Sequence, residues 1–284
     1  MFLLRRMAKL PLSILYVISN CVAFLAYHVI RYRYKVIYSN LKLSFPEKTE
    51  AEVRQLIKQF YLNMSDWLVE TLRASEMTAE ELDKRVRFVN TTVLERYLEE
   101  GKSVITMATH QFNWEWMLLA GSIKFKVPVD AVYMPISNKK VEEFVLKIRS
   151  RFGGNPIPKD DTLPLVAKRI REQRIIGLVA DQMPSKDNQQ KYWTTFLNQE
   201  TAFFMGTESL PKMTKLPVVF MAVHKVRRGY YEVKLEEIAQ PPYSYDNRQI
   251  LPAYVRHAEK LIRANPAGWL WSHRRWKYQR GAYE

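Results

Sequence analysis

The chain has 284 residues, 47% of them apolar, which is enough to bury one sizeable core and is near the upper limit for a single domain. Lys and Arg number 44 against 29 Asp and Glu, a formal net charge of +15, so the partners it selects are anionic: nucleic acid, phospholipid headgroups or an acidic protein. A single cysteine, Cys21, excludes an intrachain disulfide and a cysteine-based zinc site.

Residues 1–42 carry Arg5, Arg6, Lys9, Arg31, Arg33, Lys35 and Lys42 and no acidic side chain. Residues 10–30, between the first three of these and the next three, are uncharged. A helix of that length spans about 30 Å, the thickness of a bilayer's hydrocarbon core. Ser13, Ser19, Asn20 and His28 dilute it, which leaves both a full span and a shallow or tilted anchor open. A cleaved signal is disfavoured, because Tyr27, His28 and Val29 run straight into RYRYK without a small-residue cleavage site. The expectation is a retained membrane-anchoring helix over 1–36, with a buried amphipathic helix as the alternative. Both of its flanks are basic, so charge gives it no orientation.

Thr49 and Glu52 form a capping box, and Val53, Leu56, Ile57, Phe60, Tyr61, Met64, Trp67, Leu68 and Leu72 recur at helical spacing, predicting a helix over 50–73. Thr78 with Glu81 marks a second cap, and a short helix over 92–100 stops at Gly101. From there short apolar runs at 103–109, 129–135, 174–180 and 216–223 alternate with helical patterns at 113–124, 138–151, 161–173 and 203–214. That alternation predicts an α/β fold, a mostly parallel central sheet flanked by helices. A hairpin follows, turning at Arg228-Gly229. The expected organisation is an anchor over 1–36 and one catalytic domain over 37–284, made of a helical extension over 37–100 and an α/β core over 101–284.

His110 falls at the C-terminal end of the first core strand, where open α/β sheets expose their ligand-binding loops. Asn113 is a fitting N-cap, which places Glu115 in the first turn of the next helix. A carboxylate there can accept a hydrogen bond from one imidazole nitrogen and leave the other as a base towards a substrate hydroxyl. A His and a Glu also fall five apart by chance, so this spacing alone does not make the pair catalytic.

HQFNWEW, residues 110–116, resembles the His-x-Gly-Asn-Trp-Glu signature of the bacterial lipid A acyltransferases, within the wider lysophospholipid acyltransferase group that shares His-x4-Asp/Glu. Three further stretches resemble the same family in the same order: SNLKLSFPEKTEAEVRQLIKQFYLNMSDWLVETLR, ADQMP, and WLWSHRRWK at 269–277. The resemblance implies a glycerolipid acyltransferase-like fold and a His110–Glu115 dyad, in which His110 deprotonates the acceptor and Glu115 holds the imidazole tautomer. It implies no covalent acyl-enzyme, no cofactor and no metal. Asn113, Arg149, Arg151, Asp181 and Gln182 are the implied substrate-binding residues, with Arg149 suited to phosphate oxygens.

The implied donor is an acyl carrier protein thioester, with acyl-CoA as the other option. The acceptor is a lipid A precursor or related lipid, and the site is the bacterial inner membrane with the catalytic domain cytoplasmic. Two positions depart from the family pattern: Phe112 replaces a glycine, and Met134 replaces an arginine between Tyr133 and Pro135. Alternatives are an acyltransferase for another glycolipid, aminolipid or glycerolipid, and an inert basic membrane protein of the same fold. A glycerolipid acceptor is disfavoured by the missing Pro-Glu-Gly-Thr motif.

Phe203 and Phe204 are candidates for either an acyl channel or plain core. SHRRWKYQRG reads as a membrane-surface patch rather than a nucleic-acid site, since no nucleic-acid motif accompanies it. His273 is a weak candidate for a second base, and His28, His224 and His257 read as structural.

Overall fold

A computed structural model of the protein describes residues 2–184, 190–278 and 280–282. Helices α1 (Phe2–Ala8), α2 (Leu12–Phe24), α3 (Tyr34–Ser44), α4 (Glu50–Ala74) and α5 (Ala79–Asp83) come first. Thr49 and Glu52 make both reciprocal bonds of the expected capping box, and Thr78 caps α5 through the Glu81 amide. A π turn, Leu25–Val29, extends α2. The segment Leu12–Val29 is the one helix among the described residues long and apolar enough to cross a membrane, judged by length and composition. Its Leu12, Leu15, Ser19, Ala23 and Ala26 are nonetheless buried against the rest of the protein.

The remainder alternates as β1 (Val86–Val89), α6 (Thr92–Glu99), β2 (Val104–Ala108), α7 (Trp114–Phe125), β3 (Val129–Tyr133), α8 (Lys139–Arg149), β4 (Gly154–Pro158), α9 (Thr162–Lys168) and β5 (Ile175–Val179). Then come β6 (Lys191–Phe196), β7 (Gln199–Phe204), α10 (Gly206–Thr214), β8 (Val218–Arg227), β9 (Tyr230–Ala239) and α11 (Ile250–Ala264). The main sheet has seven strands in the order β1-β9-β8-β2-β5-β3-β4. Only β8 and β9 pair antiparallel in it, through the expected hairpin at Arg228-Gly229, and the sheet is otherwise parallel.

Every residue of β2 is buried, as a central parallel strand covered on both faces requires. Its alternation divides the core. Ile105 and Met107 face the cluster that includes α4 and α11, whereas Val104 and Ala108 face the cluster under α7.

Four features were not anticipated. β4 reads GNPIP, and its prolines hide a strand that can exist only because it is the sheet edge, where a missing N–H costs nothing. β1 adds the opposite edge from within the segment expected to be helical. Residues 191–204 form a separate two-stranded hairpin, so the helix expected to start at 203 begins at Gly206. α11 carries Ile250, Leu251, Tyr254, Val255, Ala258, Leu261 and Ile262 at helical spacing, and Glu208 caps it by accepting from the Gln249, Ile250 and Leu251 amides.

Candidate active site

His110 sits just past β2, on a short connection to α7 that the C-terminal segment braces from outside. The Phe112 amide donates to the Gly268 carbonyl at 2.8 Å and the Leu270 amide to the His110 carbonyl at 3.1 Å, while Gln111 bridges Trp269. Phe112 takes φ +49°, the left-handed region that glycine enters freely and a phenylalanine enters at roughly 1–2 kcal/mol. Its ring lies on Gly268, where a Cβ would fall 2.5 Å from it, and packs in the core near Tyr231, not in the cavity wall.

The carboxylate hydrogen-bonded to the imidazole is Asp181, immediately beyond β5. Its Oδ1 lies 2.6 Å from His110 Nδ1, and its Oδ2 accepts from the His110 amide at 2.8 Å and the Trp269 indole at 2.6 Å. An ionised carboxylate only accepts, so Nδ1 carries the proton and Nε2 presents its lone pair. Burial opposes the charge on Asp181, yet attraction to the imidazole when it is protonated, with the hydrogen bonds from His110 and Trp269, holds its pKa below the usual carboxylate range. Trp114 meets the imidazole edge-on at 5.0 Å and stacks on Trp67.

Glu115 is oriented elsewhere. Its two oxygens take Arg149 Nε at 2.9 Å and Nη2 at 2.5 Å in a buried fork, with the Trp114 indole donating at 3.1 Å. Arg149 is desolvated, but Glu115 more than offsets that and raises its pKa. The family resemblance implies that Glu115 holds the imidazole. In the structure Asp181 occupies that position, because the guanidinium fork claims the Glu115 carboxylate.

A cavity of about 450 Å³ opens between α7 and the sheet, within the size range of ligand pockets, and His110, Glu115, Arg149 and Gln182 all line it. Strand register explains its shape. Thr106, Gly177 and Ala131 stand side by side on three neighbouring strands and form a row of small residues beneath α7. Two residues earlier on their strands, Ile175 and Val129 stand together and, with Phe125, close the inner end. From position 110 to that level, at about 3.3 Å per strand residue, the slot is about 20 Å deep.

The other expected site residues divide. Gln182 reaches the site, its Nε2 lying 3.3 Å from His110 Nε2. Asn113 caps α7 through the Trp116 amide and donates to Glu70 at 2.7 Å, so both ends of its amide are committed to structure. Arg151 donates to the Ala74 and Met77 carbonyls past the end of α4, away from the cavity. Of the phenylalanine pair, Phe204 lines the cavity and Phe203 is buried core.

SHRRWKYQRG, expected as a membrane-surface patch, is mixed: Arg274, Lys277 and Arg280 are exposed, whereas Arg275 is buried and Trp276 half-buried. Trp269, Trp271 and Arg275 are buried, Arg275 donating to the Ala202 carbonyl. His273 Nε2 accepts from the Met183 amide at 3.1 Å, and burial, then Arg275, depress its pKa to about 4. It is thus a neutral acceptor that holds the segment carrying Asp181 and Gln182.

Sequence reasoning missed Trp269 as a partner of Asp181, and it missed Glu70. The Glu70 carboxylate, raised in pKa by complete burial, accepts from Tyr16, Tyr231 and Asn113 and ties α2, β9 and α7 to α4. Among the described residues no group of His, Cys, Asp or Glu is arranged to hold a metal ion.

Comparisons with known proteins point to one family. Residues 1–278 match the family described as bacterial lipid A biosynthesis acyltransferase. The chain is similar to the lipid A biosynthesis lauroyltransferase of Escherichia coli (strain K12), 22% identical over 272 residues, covering 95% of this chain and 87% of that protein. It is also similar to lipid A biosynthesis acyltransferase 2 of Shigella flexneri, 22% identical over 244 residues, covering 82% of this chain and 74% of that protein.

Proposed function

The chain belongs to the bacterial lipid A biosynthesis acyltransferase family and is an acyltransferase, and we propose that it moves a fatty acyl chain from an acyl carrier protein thioester to a hydroxyl of a lipid A precursor. The observation that carries this reading is the His110–Asp181 hydrogen bond at 2.6 Å beside an apolar slot of about 450 Å³. The acyl chain occupies the slot and brings its thioester carbonyl to His110.

His110 Nε2 takes the proton of the acceptor hydroxyl, and Asp181 holds Nδ1–H and balances the imidazolium charge. The alkoxide oxygen attacks the thioester carbonyl. The tetrahedral oxyanion collapses, the C–S bond breaks, and the departing thiolate takes the proton from Nε2. The Gln182 amide is the donor nearest the reacting atoms and is assigned to the oxyanion. Arg149, fixed by Glu115 through Nε and Nη2, keeps Nη1 for substrate oxygens. Glu115 is thereby a positioning residue for Arg149.

A formal net charge of +15 suits both an acidic carrier protein and an anionic membrane. The exposed apolar side of α2 fits association with the inner membrane, catalytic domain towards the cytoplasm. The test uses purified protein in detergent with candidate lipid acceptors and the same acyl group on acyl carrier protein or on CoA. We expect faster transfer from the carrier protein, and a loss of at least about 10²-fold in His110→Ala, the low end for positioned proton transfer. The reading fails if the wild type acylates no acceptor, or if His110→Ala matches it.

A further inference from the structure

The N-terminal helices present an apolar outward face that no contact among the described residues covers. α2 and its π turn are apolar on two sides. The inner side packs into the protein, whereas Ile14, Val17, Phe24, Leu25, Val29 and Ile30 on the outer side are between 47% and 69% exposed. Arg5 and Lys9 precede this face and Arg31, Arg33 and Lys35 follow it, all of them exposed.

The inner side is held by polar bonds. Tyr16 donates to Glu70 at 2.8 Å and Ser19 to Asp66 at 2.7 Å, both on α4. Arg228, from the β8–β9 turn, donates to the Asn20 side chain at 2.9 Å and also pairs with Asp66, which Lys225 meets at 3.0 Å. Gly229, at φ +73°, permits the approach, since a Cβ there would fall 2.2 Å from the Tyr16 hydroxyl. If α2 crossed a bilayer in this arrangement, Asp66, Lys225 and Arg228 would lie against its middle, inside hydrocarbon, where ionised side chains are costly. If α2 left the domain to cross alone, it would carry Tyr16, Ser19 and Asn20 into lipid unpaired and take one of the three donors from buried Glu70.

We propose that α2 and its π turn lie in the plane of an anionic phospholipid bilayer, outer apolar face in the acyl region and basic ends among the phosphates, without crossing it. The proposal rests on the membrane association read above and specifies its geometry. Charge selects the occupant: an anionic bilayer complements the basic ends, whereas a second copy of this chain would set like charges together.

Cys21, the only cysteine and exposed on α2, provides the probe. The full chain is labelled there with a fluorophore. In a Cys21→Ser background it is labelled at Val17→Cys or at Val29→Cys. Each form is mixed with phosphatidylglycerol–phosphatidylethanolamine vesicles containing lipids brominated at shallow or deep acyl positions. The expected result is one shallow depth for all three labels. Combined Val17→Asp and Val29→Asp should weaken vesicle flotation at least about tenfold, and pure phosphatidylcholine vesicles should bind less than the anionic ones.

A depth greatest at Cys21 and shallower towards both ends would show a span and overturn the proposal. Flotation unaffected by the aspartates, or a dimer that they dissolve, would show that this face is not the lipid surface while leaving membrane association in place. Absence of flotation in every form would overturn membrane association itself.

Discussion

Asp181→Asn separates the two carboxylates that stand near His110. Asp181 Oδ2 receives two N–H donors, the His110 amide and the Trp269 indole, at 2.8 and 2.6 Å. An asparagine must keep its carbonyl oxygen at that position, because an NH2 there would face both donors. The amide nitrogen then occupies the Oδ1 position, 2.6 Å from His110 Nδ1, and donates to it. Nδ1 becomes an acceptor, the ring proton moves to Nε2, and the base is lost without a change of shape. The variant also removes the buried charge that balances the imidazolium.

We expect kcat to fall by about 10²–10⁴, the range of a positioned general base, which corresponds to roughly 2.7–5.5 kcal/mol in the barrier. Initial rates at saturating acyl carrier protein thioester, measured beside Glu115→Gln, provide the assay. The reasoning is refuted if Asp181→Asn keeps the wild-type kcat while Glu115→Gln loses activity to the level of His110→Ala.

Gly177→Val puts methyl groups into the slot beside Thr106. A Cβ at Gly177 meets only Thr106 Oγ1 and the Asp130 carbonyl, both at 3.7 Å, so the fold tolerates it. In competition among saturated donors of increasing length, the longest should lose more than the shortest, and an unchanged length preference would remove the acyl chain from this slot. Glu70→Ala strands two buried donors and a half-buried one and should cost at least about 3 kcal/mol of unfolding free energy, with Glu70→Gln costing less because its amide can donate to Tyr16. Denaturant titration in detergent checks the order.

For His273 the folded pKa of about 4 lies below its ordinary 6.5, so its contribution is present above pH 6.5 and lost as pH falls towards 4. The wild type's stability advantage over His273→Gln should shrink by about 3 kcal/mol across that window, at 1.36 kcal/mol per pH unit. Parallel stability curves would contradict this.

What the sequence made legible followed periodicity and local chemistry. β2, β3, β5 and β8 are apolar runs of strand length, and the Thr49, Thr78 and Asn113 caps are decided within a few residues, so both kinds of feature appear where expected. The position of His110 at a strand end follows from the same pattern. Which carboxylate turns to its ring does not, because that depends on Arg149, from a helix 34 residues further on, capturing Glu115 first. Asp181 is implied only as a substrate-binding residue, and its place beside the imidazole depends on Trp269 fixing one oxygen from a distant segment.

SHRRWKYQRG differs in part from a membrane-surface patch for a related reason. Tryptophan and arginine together resemble a lipid interface, but Trp276 donates to Thr201 and Arg275 to the Ala202 carbonyl, while Arg274, Lys277 and Arg280 stay exposed.

The central claim, acyl transfer with His110 as the base, is tested most directly by intact-lipid mass spectrometry of a strain lacking this protein, complemented with the wild type or with His110→Ala at equal protein levels. The account predicts that the wild type restores a lipid one acyl chain heavier than that of the deletion strain, and that His110→Ala leaves the lighter species. Full restoration by His110→Ala would contradict it.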